Sequence, residues 1–186
     1  MSNAISALDG KAFVGFASVS EAGLQGMITV RGDLKSAKLK KAVKAATGCE
    51  IPAPRRISLK GNNGVGWMSP DELLILVPYA DAKATADALS SALAGEHALV
   101  ADVSDARAMF RIKGPKAAEV LMKLCPVDLP MLAEGELRRT RAAQVAAALW
   151  MSDKDEFTLV SFRSVAAYVF GTLQVSAQPG SEVFPA

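Results

Sequence analysis

The stretch GNNGVGWMSPDELLILV, residues 61–77, holds three glycines that would suit either a phosphate-cradling loop or a hairpin, and the choice decides the fold class. A phosphate loop closes glycine backbone amides on an anion at the start of a helix. Gly61, Gly64 and Gly66 match neither GxGxxG nor GxxxxGK[ST], and Ser69-Pro70-Asp71-Glu72 leads into LLILV, an apolar run of strand length. Pro70 suits the second position of a turn, with Asp71 and Glu72 as solvated tips. The stretch is expected to be hairpin architecture.

Working outward from it, helix signals recur four times. The first helix is expected to open after Asp33 as N-cap and to close at Gly48, with Leu39, Ala42, Val43 and Ala46 as its inner stripe. The second runs from Asp81 to Gly95, with Ala82, Ala86, Leu89 and Leu93 on one side. The third opens at Gly114-Pro115 and ends at Pro126, turning Ala118, Leu121, Met122 and Cys125 inward. The fourth starts near Ser161 or Ser164 and buries Ala166, Val169, Phe170 and Leu173.

Between the helices lie paired extended segments: RISLK and VGWM with LLILV, ALVADVS with AMFRIKG, and TRAAQVAAALWM with FTLVSF across the polar tip SDKDE. Successive ββα units of this kind make an α+β fold, antiparallel sheets with helices packed on one face. Residues 1–30 are expected to be a partly extended N-terminal segment, and 176–186 a tail. The body, 31–175, divides into halves of about 31–95 and 96–175.

The chain of 186 residues is 51% hydrophobic and 22% charged, with a mean hydropathy of +0.22. Apolar surface in excess of one core's needs usually finds a partner. A net charge of +2 provides no field that argues for nucleic acid, and no aromatic residue is interleaved with the basic run at 31–60. With His97 as the only histidine, and Cys49 and Cys125 far apart, a multi-histidine or CxxC metal site is excluded. The N-terminus MSNAISALDGKAF lacks a basic segment followed by an apolar one, so a cytoplasmic protein is expected. The apolar run AAQVAAALWM, 142–151, is too short for a membrane span and reads as a buried strand.

No catalytic, cofactor-binding or metal-ligating residue is assigned. Lys40, Lys41 and Lys44 lie opposite the apolar stripe of the first helix, as a solvated face or as a docking patch for an acidic partner. Arg138, Arg139 and Arg141 form a possible second patch. Trp67 and Trp150 sit in apolar strands, so core packing is the first expectation and interface anchoring the alternative, with Trp67 the docking candidate. Arg163, at the positive end of the last helix, is a candidate for an inter-chain ion pair. Asp102 and Asp105, flanking Ser104, are read as turn chemistry.

The segments ISLKGNNGVGWMSPDELLIL (57–76), ALVADVSDARAMFRIKGPKAAEVLMKLCPVDL (98–129), GELRRTRAAQVAAALWM (135–151) and FTLVSFRSVAAYVFGTL (157–173) together resemble the gamma subunit of heterotetrameric sarcosine oxidase. The DVS strand, the Gly-Pro-initiated helix and the FRS segment, in this order, carry the likeness. The resemblance implies a fold like the folate-binding portion of glycine-cleavage aminomethyltransferases. It also implies membership of a complex with alpha, beta and delta chains that oxidises sarcosine to glycine and passes the carbon to tetrahydrofolate. FAD, FMN, NAD, zinc and tetrahydrofolate are then expected on the partner subunits and no cofactor on this chain. The alternatives are a stand-alone folate-binding module, or a gamma-type subunit of a related N-methyl amino acid oxidase or dehydrogenase.

Overall fold

The structure, a computed structural model, describes residues 4–184. In chain order the elements are β1 (Ala12–Val14), β2 (Ser18–Glu21), β3 (Gly26–Arg31), α1 (Ala37–Thr47), β4 (Ile57–Lys60), β5 (Asn63–Ser69), β6 (Glu72–Val77) and α2 (Ala82–Ala92). They continue with β7 (Leu99–Asp102), β8 (Arg107–Lys113), α3 (Ala117–Met122), β9 (Leu137–Ala142), β10 (Val145–Asp153), β11 (Glu156–Phe162) and α4 (Ala166–Ser176). The strands form two antiparallel sheets, as the α+β expectation requires.

The chain divides into two compact units. One is Gln25–Asp105; the other joins the described residues up to Leu24 with those from Ala106 onward. These boundaries differ from the expected ones, at residue 30 and near residue 95, for a reason of strand pairing. β3 lies between β6 and β7 in one sheet, so the Gln25–Asp105 unit starts before β3 and ends after β7.

In the Gln25–Asp105 unit the sheet order is β4-β5-β6-β3-β7. The stretch 61–77 makes both of its turns here. Lys60 pairs with Asn63 across Gly61-Asn62, where Gly61 has φ 58°, and Ser69 pairs with Glu72 across Pro70-Asp71. A two-residue turn with a positive φ only at its first central position is a glycine site. Ser69 Oγ donates to Asp71 Oδ1 at 2.6 Å and stiffens the second turn. Val65, Leu73, Ile75, Ile28 and Val30 face α1 and α2 in one core, against Leu39, Val43, Ala82 and Leu89. LLILV lacks alternation because Leu74 and Leu76 on its other face are buried too.

In the other unit the sheet order is β1-β2-β8-β11-β10-β9. Val19, Phe110, Ile112, Leu149, Phe157 and Leu159 pack beneath Val120 and Leu121 of α3 and Val169, Phe170 and Leu173 of α4. A Cβ on Gly15 would sit 1.8 Å from the carbonyl oxygen of Ala177, so only glycine lets β1 approach the end of α4.

Several expectations are corrected. ALVADVS and AMFRIKG do not pair: β7 lies beside β3, and β8 lies between β2 and β11 in the other sheet. The N-cap of α1 is Ser36, whose side chain accepts from Leu39 N at 3.3 Å; Asp33 instead accepts from Lys35 N at 2.9 Å in a turn before the helix. Gly48 does end it, in the left-handed conformation at φ 73°. The run 142–151 is no single strand: Ala142 ends β9, Ala143-Gln144 turn, and β10 begins at Val145, because Ala143 takes φ 49°. Ser161 belongs to β11, and a 3-10 turn at Arg163–Val165 precedes α4. α3 spans only Ala117–Met122, after a turn in which Ala117 N donates to Gly114 O.

Candidate functional site

The most unusual surface starts with sequence. α4, AAYVFGTLQVS, contains no charged residue. A helix that is apolar all round belongs in an interior. Ala166, Val169, Phe170 and Leu173 do point into the core, but the opposite side stands open, with Tyr168 43% and Val175 64% exposed. Ala167, Tyr168, Gly171 and Val175, with Leu124 and Lys123, line a groove of about 640 Å³. A Cβ on Gly171 would meet nothing within 4 Å, so the groove floor is open to a closely approaching backbone.

Lys123 borders this groove as a structural cation. Its Nζ donates to Ser176 O at 2.5 Å and Ser181 O at 2.6 Å, and lies 5.0 Å over the ring of Phe16. Burial lowers its pKa from the ordinary lysine value, against the opposing pull of Glu119 and Glu182. Two buried carboxylates in the same unit tie down its chain ends. Glu119 accepts from Val183 N at 2.7 Å and Phe184 N at 3.1 Å. Glu21 accepts from Ser6 Oγ at 2.7 Å, Leu8 N at 2.9 Å and Gly10 N at 2.8 Å.

A second surface lies at one end of the sheet face that does not carry the helices. Phe162, 47% exposed, has the Arg107 guanidinium 4.1 Å over its ring. Arg107 pairs with Phe162 and Ala146 with Arg141, and the β10–β11 register, which reaches Ala147 opposite Ser161, brings these two pairs to the same end of the sheet. Arg139 stands opposite Ala148. Both Arg139 and Arg141 are exposed, whereas Arg138 points to the other face and is ion-paired with Glu136.

The remaining docking candidates are scattered. Lys40, Lys41 and Lys44 are exposed on one side of α1, with Lys44 ion-paired to Glu50 at 2.5 Å, which raises its pKa. Trp67 is half-buried beside Leu73, and Trp150 is a core residue. The guanidinium of Arg163 donates to Ile5 O at 2.8 Å and Ser6 O at 3.2 Å within the chain. Asp102 and Ser104 form a turn clamp, Ser104 Oγ donating to Asp102 Oδ1 at 2.5 Å and accepting from Met27 N at 3.0 Å. Sequence reasoning did not single out Tyr168, Val175, Phe162 or Arg107, although eleven residues of helix without a charge are a legible signal.

Among the described residues no group of three or more His, Cys, Asp or Glu is placed to hold a metal ion. Cys125 is a poor ligand, since burial pushes its thiol up to about 12, and Cys49 is buried as well. No helix among the described residues is long and apolar enough to cross a membrane.

Residues 31–178 match the model of the sarcosine oxidase, gamma subunit family. The chain belongs to that family. The sarcosine oxidase subunit gamma of Corynebacterium sp. strain U-96 is 32% identical over 123 residues, 64% of this chain and 59% of that protein. This family member thus spans about three fifths of the length of that curated relative. A chain of the heterotetrameric sarcosine oxidase from Corynebacterium sp. U-96, solved in complex with pyrrole 2-carboxylate, is similar with TM-score 0.82 and 25% identity, covering 94% of this chain and 91% of that one. Aminomethyltransferase T of the glycine cleavage system from Bartonella henselae shares the fold, with TM-score 0.65 and 14% identity over 86% of this chain and 46% of that one.

Proposed function

We propose that this chain is the gamma-type subunit of a cytoplasmic heterotetrameric sarcosine oxidase and serves as its assembly subunit. Its role is to bury apolar surface against the alpha, beta and delta chains. Those siblings handle FAD, FMN, NAD, zinc and tetrahydrofolate, and carry out the demethylation of sarcosine to glycine. Family membership supports the complex; the open, uncharged face of α4 is the observation that carries the assembly role. A solitary protein has little use for such a face, while a stable interface of more than about 1,000 Å² needs one as its centre.

Co-expression with candidate sibling chains tests the reading. The wild-type chain is expected to co-purify in a stable complex. Tyr168→Glu with Val175→Glu places carboxylates in a dry contact and is expected to weaken assembly at least about tenfold, with circular dichroism unchanged. Recovery of a fully active oxidase lacking this chain would reject the proposal.

A further inference from the structure

We propose that the outer edge of β9 receives an extended acidic segment of a sibling chain as an added strand, its carboxylates meeting Arg139 and Arg141. This rests on the assembly reading and concerns a surface other than the α4 groove.

The backbone comes first. β9 is the last strand of its sheet, and β10 is its only strand neighbour among the described residues. The β9–β10 hairpin closes over two residues, Ala143-Gln144, so Ala142 and Val145 are the pair that exchanges both backbone bonds. Bonded and non-bonded pairs alternate from there. Thr140 and Arg138 therefore bond toward β10, and Arg141, Arg139 and Leu137 turn their N–H and C=O outward. Leu137 O accordingly accepts from its neighbour's guanidinium, Arg138 Nη1, at 3.2 Å.

The side chains select the occupant. The same two residues that offer outward backbone groups, Arg139 and Arg141, project to the face where Arg107 covers Phe162. A strand added at this edge sets its residues i and i+2 beside them, with Cβ atoms about 5 Å apart. Asp or Glu at those positions pairs with a guanidinium fork. The residue between them faces the opposite side of the sheet, beside Thr140 and near buried Ala142, where a β-branched or small apolar side chain fits. The occupant is thus an acidic-apolar-acidic extended segment. Nucleic acid fits less well, because the exposed ring at this end of the sheet is already covered by Arg107 and no second ring continues a stacking track among the described residues. Edge arginines also discourage aggregation, but that role requires no choice among partners.

Fluorescence anisotropy on the full chain separates these cases. The probes are a labelled synthetic peptide alternating Glu with Val, a peptide of equal charge with proline at the intervening positions, and oligodeoxythymidine. The alternating peptide is expected to bind saturably and to weaken about tenfold in the Arg139→Glu, Arg141→Glu double variant. Proline removes the strand donors, so the second peptide is expected to lose binding. No saturable binding of the alternating peptide, equal binding of the proline peptide or of the oligonucleotide, or indifference to the double substitution overturns the inference. So does co-assembly with sibling chains that is as efficient for the double variant as for wild type, which leaves the assembly reading standing. Failure of the wild-type chain to assemble overturns that reading.

Discussion

Replacing Glu21 offers a sharp test of how this chain holds its N-terminal segment. Its buried carboxylate accepts three hydrogen bonds, Oε1 from Leu8 N and Oε2 from Ser6 Oγ and Gly10 N, all between 2.7 and 2.9 Å. Bonds to an ionised group are worth about 1.5–3 kcal/mol each when buried, but all three donors are only part-buried, so about 1 kcal/mol each is the better figure. Glu21→Ala is therefore expected to cost about 3 kcal/mol. Glu21→Gln keeps one carbonyl oxygen for Ser6 and Gly10 but points an amide N–H at Leu8 N–H, so about 1.5 kcal/mol is expected. Urea unfolding measures both, with the ratio of the two losses as the diagnostic. Amide exchange localises them: Leu8 and Gly10 should exchange faster, while the anchor from Arg163 to Ile5 and Ser6 persists. A glutamine variant within about 0.5 kcal/mol of wild type would show that the carboxylate is not the anchor.

Two further outcomes are expected. Ser36→Ala should cost about 1 kcal/mol by chemical denaturation, and Asp33→Ala clearly less, because only Ser36 accepts from a helix amide; the reverse order would restore Asp33 as the cap. The raised thiol pKa of Cys125 gives a pH signature. Below its ordinary value of 9.0 the contribution is fully present, and it is lost as pH rises from there toward about 12, because the unfolded thiol ionises first. Stability should fall across that window less steeply in Cys125→Val, and thiol reagents should label the native chain only on unfolding; rapid labelling of the folded protein would contradict its burial.

The hairpin at 61–77, the inward stripes of α1 and α2 and the Gly48 stop were legible because each rests on short-range physics: turn stereochemistry, periodicity, a left-handed glycine. The cap of α1 was misplaced because two oxygen-bearing residues, Asp33 and Ser36, lie within one turn of the helix start, and the competing turn at Asp33 is invisible to pattern alone. The division of AAQVAAALWM was missed for a related reason. Nothing in Ala-Ala-Gln announces a turn, and Ala143 takes its positive φ under the constraint of pairing on both sides. Of the docking candidates, Arg141 on β9 shares its end of the sheet with residues of β8 and β11 that no sequence spacing connects.

What the amino-acid order determined alone is therefore local: which segments extend, which coil, which faces are greasy, and which catalytic residue types are scarce. Where β1, β2 and β3 pair was decided in three dimensions, since strand partners are chosen by burial across long loops rather than by neighbours in the chain. The same holds for the exposed side of α4. Its lack of charge is written in the sequence, but only packing decides which half of an apolar helix the core takes and which half is left exposed.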